Sequence, residues 1–332
     1  MVEHGGRLRQ ASRDHDIPID DWLDLSTGIA PWPYPVPTIP PACWQRLPED
    51  DDGLIEAARD YYGARHPLPV NGSQAAILAL PRLFAPAPVA LLAPSYGEYL
   101  PAWQAAGHRV QPCAGDVVLA QGVMQVGHLM LANPNNPDGR RFAPEALLAA
   151  AARLARHDGW LIVDEAFADA EDGLSLAGVA GTPGAKNVIV LRSLGKFFGL
   201  AGARVGFCLG QPELLARLAE LLGPWPLAHP ARFAAKLGLG DTAWQAAQKR
   251  RLRDAAARLA ALLAAHGFAP VGGTALFRFV ATPDAARMHD FLARRGILVR
   301  HFAELSALRF GLPGDEAAWS RLAAALDEWR KR

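Results

Sequence analysis

The chain has 332 residues, of which 51% are hydrophobic and 20% charged, and its formal net charge at pH 7 is +1. This composition excludes a disordered chain, and the near-neutral balance excludes the broad basic surface with which proteins bind nucleic acid or an anionic membrane. One hydrophobic core rarely organises so long a chain, so we predict a large domain with a smaller one attached.

The cysteines and the amino-terminal residues indicate where the protein works. Cys43, Cys113 and Cys208 are odd in number and far apart, and none stands in a pair with zinc-binding spacing. We therefore expect a reducing, cytoplasmic location and no metal site. No amino-terminal segment is apolar, and no apolar run approaches the roughly 18 residues that a membrane-spanning helix needs. The sequence predicts neither export nor a membrane anchor.

Prolines dominate the amino-terminal part of the chain. Residues 1–50 contain eight of them, and each proline fixes φ and removes a backbone donor. We predict an extended rather than helical arm over residues 1–45, which packs on the small domain and the active site.

Between Gly53 and Cys208, helical patterns alternate with short apolar runs. The predicted helices are Leu54–Tyr62, Gln74–Phe84 and Pro144–His157. The predicted strands are Val89–Ala93, His128–Ala132, Trp160–Val163, Asn187–Leu191 and Val205–Leu209. Apolar runs without alternation are typical of strands buried on both faces, and their alternation with helices indicates parallel crossovers. The sequence thus predicts an α/β fold with a mostly parallel sheet, in a large domain over residues 46–240.

After Gly210 the pattern changes, and a smaller α+β domain is predicted over residues 241–332. The helices predicted in this part are Pro212–Leu222, Ala231–Leu237, Thr242–His266, Pro283–Arg295 and one from Asp315. The strands are Ala275–Ala281, Ile297–Arg300 and Leu308–Phe310.

Two nucleotide-binding signatures are absent. A P-loop around Gly195 and Lys196 needs Gly at position 190 and Ser or Thr at 197, where the chain has Val190 and Phe197. The stretch Gly199–Gly202 does not complete a dinucleotide-binding glycine motif either.

Four polar residues instead follow predicted strands. Asn136, Asp164, Lys196 and Arg204 each lie at a strand end or in the loop after it, where open α/β sheets bind ligands. Together they suit pyridoxal phosphate. A lysine can form a Schiff base with its aldehyde, and a carboxylate can hold the proton on its pyridine nitrogen. An amide can donate to the ring oxygen, and an arginine can bind the phosphate.

Six short motifs carry a family signature: His4–Gly6, Leu23–Pro31, Val70–Ser73, Asp164–Phe167, Ser193–Arg204 and Leu308–Gly311. Over nearly its whole length, the chain resembles the fold-type I pyridoxal-phosphate enzymes of the aspartate aminotransferase superfamily. Within that superfamily it is most similar to the threonine-phosphate decarboxylases of cobalamin biosynthesis, which are relatives of the histidinol-phosphate aminotransferases.

The resemblance implies a cofactor role for each matched residue. Lys196 is the lysine that binds the cofactor aldehyde, Asp164 is the partner of the pyridine nitrogen, and Asn136 donates to the ring oxygen. Tyr96 is the aromatic residue that stacks on the ring. The cofactor phosphate is assigned to Gly72, Ser73, Gln74, Ser193 and Arg204, of which the first three lie where a helix begins and its N–H groups favour an anion.

The substrate residues are also implied by the resemblance. Arg309 matches the arginine that binds the substrate carboxylate, a task that suits a guanidinium group. For the substrate phosphate, His4 and the backbone at Gly28 and Ile29 rank first. The other candidates are Arg140, Arg141 and Arg300.

The chain departs from the family pattern at two positions. Phe167 stands where many relatives have a tyrosine that donates to the ring oxygen, so we expect a different pKa for the lysine–cofactor linkage. Leu47 stands where many relatives have a tyrosine that reaches the cofactor phosphate of the partner subunit. A homodimer is still expected.

The leading functional hypothesis is decarboxylation of L-threonine O-phosphate to (R)-1-aminopropan-2-ol O-phosphate, with Lys196 and Asp164 as the catalytic residues. The alternatives are an aminotransferase of the histidinol-phosphate type and a non-catalytic relative that acts in aminopropanol attachment. Residue types alone do not separate decarboxylation from transamination, because the outcome depends on which bond at Cα stands perpendicular to the cofactor ring.

Overall fold

The structure, a computed structural model, describes residues 4–115, 117–119 and 126–331. The chain forms two compact units. Unit 1 comprises Met1–Pro33, Pro137–Gly139 and Ala247–Arg332, and unit 2 comprises Tyr34–Asn136 and Arg140–Ala246. The unit boundaries thus follow residues 33 and 246, whereas the sequence placed its domain boundaries after residues 45 and 240.

The described residues form both strands and helices. The strands are β1 (Leu23–Leu25), β2 (Pro67–Asn71), β3 (Pro88–Ala93), β4 (Arg109–Ala114), β5 (His128–Ala132), β6 (Trp160–Asp164), β7 (Val188–Ser193), β8 (Val205–Leu209), β9 (Gly272–Thr274), β10 (Phe277–Ala281), β11 (Ile297–Phe302) and β12 (Ala307–Gly311). The α-helices are α1 (Leu8–His15), α2 (Ala42–Gln45), α3 (Leu54–Tyr62), α4 (Gly72–Ala79), α5 (Tyr99–Ala105), α6 (Pro144–Leu154), α7 (Pro212–Leu222), α8 (His229–Gly240), α9 (Thr242–Ala265), α10 (Ala285–Ala293) and α11 (Glu316–Arg330).

Unit 2 is built on a seven-stranded sheet in the order β2-β8-β7-β6-β5-β3-β4. Strand β8 is antiparallel to β2 and β7, and the other neighbouring pairs are parallel. Every residue of β5, β7 and β8 is buried, as strands covered on both faces require. The predicted α/β fold with a mostly parallel sheet is confirmed.

The sequence missed the two strands at the edges of this sheet. Strand β2 contains Pro67 and Pro69, and β4 contains Pro112. A proline argues against a central strand because it cannot donate to the sheet, but an edge strand has one side without a neighbour and tolerates it. Helix α5 was missed as well.

The sheet brings several chain segments to one edge. Strands β5, β6 and β7 are parallel, so Ala132, Asp164 and Ser193 end on the same side. Gly206 near the start of β8 pairs with Ser193, and Val205 pairs with Asn71, after which α4 begins. The carboxyl ends of three strands and the amino end of one helix therefore meet at this edge.

Unit 1 contains a five-stranded sheet in the order β1-β11-β12-β10-β9. Strand β1 runs parallel to β11, and the remaining pairs are antiparallel. The predicted extended arm is wrong in its first part, since α1 is a helix whose Ala11 packs with Trp22 and Ala293. The prolines begin only at Pro18, and they leave the preceding residues free to form that helix.

None of the helices in the described ranges has the length and apolar character that crossing a membrane demands.

Candidate active site

Asp164 ends β6 and is buried, with 5% of its surface exposed. Its Oδ2 accepts a hydrogen bond of 2.8 Å from the hydroxyl of Tyr99, and its Oδ1 accepts one of 2.9 Å from the backbone N–H of Ala166. Burial raises the pKa of Asp164, while these two donors and the nearby charge of Lys196 oppose the rise. The site thus holds a desolvated carboxylate that a cation can stabilise.

Lys196 lies in the turn that follows β7, close enough to Asp164 for their charges to interact. Its Nζ lies 5.5 Å from the centre of the Phe167 ring, and Phe167 is buried. The backbone of this turn is fixed by Ser193, whose hydroxyl accepts a hydrogen bond from the N–H of Gly195 at 3.2 Å. The structure therefore brings Asp164, Phe167, Ser193 and Lys196 together.

The amino end of α4 forms the second part of the site. Asn71 makes no side-chain capping bond there, so the first N–H groups of α4 are not bound by a cap. A Cβ atom on Gly72 would lie 2.6 Å from Nη2 of Arg204, and one on Gly206 would lie 2.6 Å from the backbone nitrogen of Ser73. Glycine at both positions lets the guanidinium group and the helix end approach each other, and both are groups that bind phosphate.

Arg204 adopts a backbone conformation that is unusual for its type. Its φ is +54°, in the left-handed region that favours glycine. Such a conformation costs about 1 kcal/mol or more, and strain of this kind concentrates at functional sites. The Nη1 atom of Arg204 donates to the carbonyl of Ala201 at 3.2 Å, which holds the side chain in place.

Tyr96 connects the two parts of the site. Its hydroxyl donates to Oε1 of Gln74, in the first turn of α4, at 3.0 Å. Burial, together with the charges of Glu98 and Asp164, raises the pKa of Tyr96 to about 12, and the charge of Arg204 opposes this rise. Tyr96 thus lies within electrostatic reach of both Asp164 and Arg204.

Asn136 lies in the loop after β5, and hydrogen bonds of the neighbouring residues fix this loop. The N–H of Asn133 donates to the carbonyl of Asp164 at 2.9 Å. The side chain of Asn135 accepts from the hydroxyl of Ser95 at 2.8 Å and donates to the carbonyl of Pro94 at 2.9 Å. These bonds attach the loop that carries Asn136 to the end of β6 and to the residues that follow β3.

A buried ion-pair cluster lies behind the site, and sequence reasoning missed it. Arg192 donates to Glu165 at 2.7 Å and to Asp169 at 2.6 Å, and all three are buried. Glu165 also accepts from the hydroxyl of Ser175. Because Glu165 follows Asp164 and Arg192 precedes Ser193, the cluster fixes the ends of β6 and β7. Arg192, which directly follows the apolar residues of β7, was the signal that could have revealed it.

Arg309 and the other predicted substrate residues belong to unit 1. Arg309 is buried on β12, and its Nη2 donates to the carbonyl of Ser26 at 2.8 Å. Burial lowers its pKa to about 10, with Arg300 contributing and Asp24 opposing. Arg309 therefore keeps its charge at neutral pH. Arg300 is its partner across β11 and β12, which places two guanidinium groups on neighbouring strands.

The amino-terminal residues pack against the same segment of unit 1. The N–H of Gly6 donates to the hydroxyl of Ser26 at 2.7 Å, and a Cβ atom on Gly5 would lie 2.4 Å from the carbonyl oxygen of Ser26. His4 directly precedes this contact. Gly28 has a φ of +63°, and the N–H of Ile29 donates to the Thr27 hydroxyl at 3.4 Å. His4, Gly28, Ile29 and Arg309 thus occupy neighbouring segments of one unit.

The groups in unit 2 fit pyridoxal phosphate. A cationic ring nitrogen would offset the desolvation that raises the pKa of Asp164, and Lys196 supplies an amine close to that carboxylate. The contact of Gly72 with Arg204 at the start of α4 leaves no room for a side chain and offers N–H donors beside a guanidinium group, a cradle suited to a phosphate. No cluster with the donor set of a metal site occurs within residues 4–115, 117–119 and 126–331.

The profile of the family described as aminotransferase class I and II matches residues 48–326. A threonine-phosphate decarboxylase of Pseudomonas aeruginosa is 54% identical over 326 residues, which are 98% of this chain and 97% of that protein. A threonine-phosphate decarboxylase of a Sinorhizobium species is 44% identical, with 98% and 97% covered. The crystal structure of a histidinol-phosphate aminotransferase of Sinorhizobium meliloti in complex with pyridoxal-5'-phosphate has a TM-score of 0.82 at 22% identity, and covers 100% of this chain and 95% of its own. This last likeness concerns the fold alone.

Proposed function

Because the chain belongs to the aminotransferase class I and II family, we propose that it is a pyridoxal-phosphate-dependent decarboxylase that converts L-threonine O-phosphate to (R)-1-aminopropan-2-ol O-phosphate in cobalamin biosynthesis. The observation that carries the proposal is the similarity, over almost the full length of both chains, to proteins with that activity in their names. The buried Asp164 and the neighbouring Lys196 give it a chemical basis.

Lys196 and Asp164 are the catalytic residues of this proposal. When bound, the cofactor supplies an aldehyde for the substrate amine and an electron-withdrawing ring for the electron pair that the departing carboxylate leaves. Lys196 Nζ holds the cofactor through its aldehyde and supplies an amine that can move a proton at the substrate. Asp164 holds a proton on the ring nitrogen, and its burial strengthens that interaction.

The remaining residues of unit 2 orient the cofactor. The N–H groups of Gly72, Ser73 and Gln74, which Asn71 does not cap, bind its phosphate together with Ser193 and Arg204. Tyr96 covers one face of the ring, Asn136 donates to the ring oxygen, and Phe167 excludes water beside Lys196 without adding a donor. The contacts among Gly72, Arg204, Tyr96 and Gln74 support this assignment.

Arg309 binds the carboxylate of the substrate, and His4 with the backbone at Gly28 and Ile29 binds the substrate phosphate. Arg300 is a further phosphate ligand in this proposal, because it is the cross-strand neighbour of Arg309 and its charge is the opposite of that of phosphate. The hydrogen bonds among Gly6, Ser26 and Arg309 support a common role for the amino-terminal residues and β12.

Binding both ends of the substrate determines which bond breaks. With its carboxylate and phosphate held, the substrate cannot rotate freely about the Cα–N bond, and binding energy from the remote phosphate can keep the carboxylate out of the plane of the ring. In that orientation, the breaking bond would overlap the π system that the bound cofactor supplies. Transamination would instead require the α-hydrogen in that position.

The proposal includes a homodimer in the cytoplasm. Trp44 and Leu47 are 69% and 62% exposed on unit 2, and large exposed apolar side chains favour a protein partner. Cys43, Cys113 and Cys208 are free thiols, which suits a reducing compartment.

The experiment measures carbon dioxide and aminopropanol phosphate from threonine O-phosphate, with threonine as the matched substrate that lacks the phosphate. We expect about 100-fold lower turnover for threonine at saturation, because the binding energy of the remote phosphate no longer orients the reacting bond. We expect His4→Ala to reduce that difference. A parallel reaction contains histidinol phosphate and 2-oxoglutarate. Rapid amino transfer without carbon dioxide would identify an aminotransferase, and no reaction in either assay would identify a non-catalytic relative.

A further inference from the structure

Tyr99 makes a contact that no family motif assigned. Its side chain is 1% exposed at the start of α5, and its hydroxyl donates to Oδ2 of Asp164 at 2.8 Å. We propose that Tyr99 is a positioning residue, whose hydroxyl fixes the Asp164 carboxylate and keeps it ionised so that it can hold a proton on the cofactor ring nitrogen. This inference rests on the proposed function, since it assumes that Asp164 faces that nitrogen.

The hydroxyl of Tyr99 acts as a donor at every working pH. Burial raises its pKa well above the ordinary value for tyrosine, and the charge of Asp164 raises it further. The phenol therefore stays protonated. With Tyr99 on Oδ2 and the N–H of Ala166 on Oδ1, each oxygen of Asp164 has one donor. A carboxylate accepts about four hydrogen bonds in all, so room remains for the ring nitrogen.

The hydrogen bond from Tyr99 affects which of two bases holds the proton between the cofactor and Asp164. The pyridine nitrogen and the Asp164 carboxylate compete for one proton, and whichever is the stronger base in the site holds it. Burial raises the pKa of the Asp164 carboxyl. Of the groups that lower this pKa, the hydroxyl of Tyr99 has the largest effect. Removing that hydroxyl moves the proton from the ring nitrogen toward the carboxylate, which weakens the electron sink.

The ring of Tyr99 also couples the two ends of the site. It packs edge-on against Tyr96, with ring centres 5.4 Å apart and an angle of 77° between the planes. Tyr96 in turn donates to Gln74 in the first turn of α4. A continuous set of contacts thus runs from the helix end proposed to bind phosphate to the carboxylate proposed to bind the ring nitrogen.

The test compares Tyr99→Phe with two variants. Tyr61→Phe is the matched control, because Tyr61 also donates to a buried carboxylate, Asp169, at 2.9 Å. Asp164→Asn replaces the carboxylate itself with a neutral amide, and so shows the largest effect that a change at this position can have. Each protein is loaded with pyridoxal phosphate labelled with ¹⁵N in its ring, and the ¹⁵N chemical shift reports the protonation of that nitrogen. The dissociation constant of the cofactor is measured by absorbance.

We expect Tyr99→Phe to move the ¹⁵N signal from the protonated toward the neutral position. We also expect it to weaken cofactor binding by about ten- to a hundred-fold, as the loss of a hydrogen bond to a charged group does. Tyr61→Phe should leave the signal unmoved. If Asp164→Asn shifts the signal and Tyr99→Phe does not, the role of Tyr99 is refuted while the cofactor site stands. If neither shifts it, the assignment of Asp164 itself fails.

A second variant tests the donor role of residue 99 even if Tyr99→Phe does not fold properly. Difluorotyrosine at position 99 has a more acidic phenol and is a stronger donor. It should therefore move the ¹⁵N signal toward the protonated position, or leave it there, and should not weaken cofactor binding. A shift toward the neutral position in this variant would overturn the proposal.

Discussion

The guanidinium group of Arg204 lies so close to Gly72 that a Cβ atom there would be 2.6 Å from Nη2. Gly72 also has a φ of +65°, so a side chain at this position would meet both a steric barrier and a strained backbone. The start of α4 can approach Arg204 only because residue 72 is glycine.

We expect Gly72→Ala to displace Arg204 and weaken cofactor binding about ten-fold or more, the effect of losing one charge-assisted hydrogen bond. The left-handed backbone adds a loss of about 1–2 kcal/mol in the free energy of unfolding. Gly202→Ala is the control, since Gly202 has an ordinary φ and no atom within 4 Å of the added Cβ. An absorbance titration with pyridoxal phosphate gives both affinities, and equal values for Gly72→Ala and wild type would refute the contact's role.

Lys196→Ala should abolish the visible absorbance of the bound cofactor and essentially all turnover, because the variant lacks the amine that binds the aldehyde. Lys186→Ala, at an exposed position, should keep both. Treatment with borohydride provides the measurement, since it attaches the cofactor covalently to its lysine. Cofactor still attached to the chain of Lys196→Ala would mean that another lysine performs this role.

Phe167→Tyr should lower the pH at which the visible spectrum of the bound cofactor changes. The Phe167 ring centre is 5.5 Å from Nζ of Lys196, so a phenol there can donate toward the ring oxygen and favour the deprotonated lysine–cofactor linkage. Spectra recorded across a pH series give the midpoint. A curve that overlays that of wild type would count against Phe167 as a neighbour of the cofactor.

We expect the stability of the fold to depend on pH through His128, which lies at the start of β5, outside the proposed cofactor site. Burial lowers its pKa to about 4, with His108 adding to the effect, and its Nδ1 accepts a hydrogen bond from the N–H of Trp160. The folded chain therefore keeps His128 neutral, while the unfolded chain protonates it below about pH 6.5. The contribution of neutral His128 to the free energy of unfolding is fully present above pH 6.5. It is lost as the pH drops from 6.5 to 4, by up to about 3 kcal/mol.

The measurement for His128 is the free energy of unfolding in urea at several pH values between 4 and 7.5, for wild type and His128→Asn. The variant is less stable at neutral pH because it loses the ring contacts with Phe84 and Trp103. Its loss of stability across this pH range should nevertheless be smaller than that of wild type. An identical pH dependence in both proteins would show that His128 does not titrate as its burial requires.

The sequence predicted the central strands well because burial on both faces leaves a continuous apolar run. Strands β5 and β8 begin and end where the sequence placed them. The edge strands β2 and β4 were missed because their prolines are tolerated only where a neighbouring strand is absent. Helix α1 was missed because Ala11 is its one buried residue, so little apolar periodicity exists to detect.

Some site residues could be predicted from local sequence motifs, and others only from the fold. Asp164, Lys196 and Arg204 stand in local motifs at strand ends, and a reader of the sequence can find them without knowing the fold. Tyr99 has no such motif. Its relation to Asp164 spans 65 residues and arises only when β3 and β6 take their places in the sheet, with β5 between them. The pairing of Arg300 with Arg309 depends on strand register, which the sequence alone does not specify.

The bond that breaks at Cα of the substrate distinguishes a decarboxylase from an aminotransferase directly. L-Threonine O-phosphate is incubated with the loaded enzyme in deuterium oxide, and the product and remaining substrate are analysed by mass spectrometry and proton NMR. Decarboxylation keeps the original α-hydrogen and replaces the carboxylate with one solvent proton. We expect carbon dioxide, aminopropanol phosphate with a single deuterium on the amine-bearing carbon, and no deuterium in the recovered substrate. Loss of the α-hydrogen, with deuterium in the recovered substrate and a keto acid as product, would contradict it.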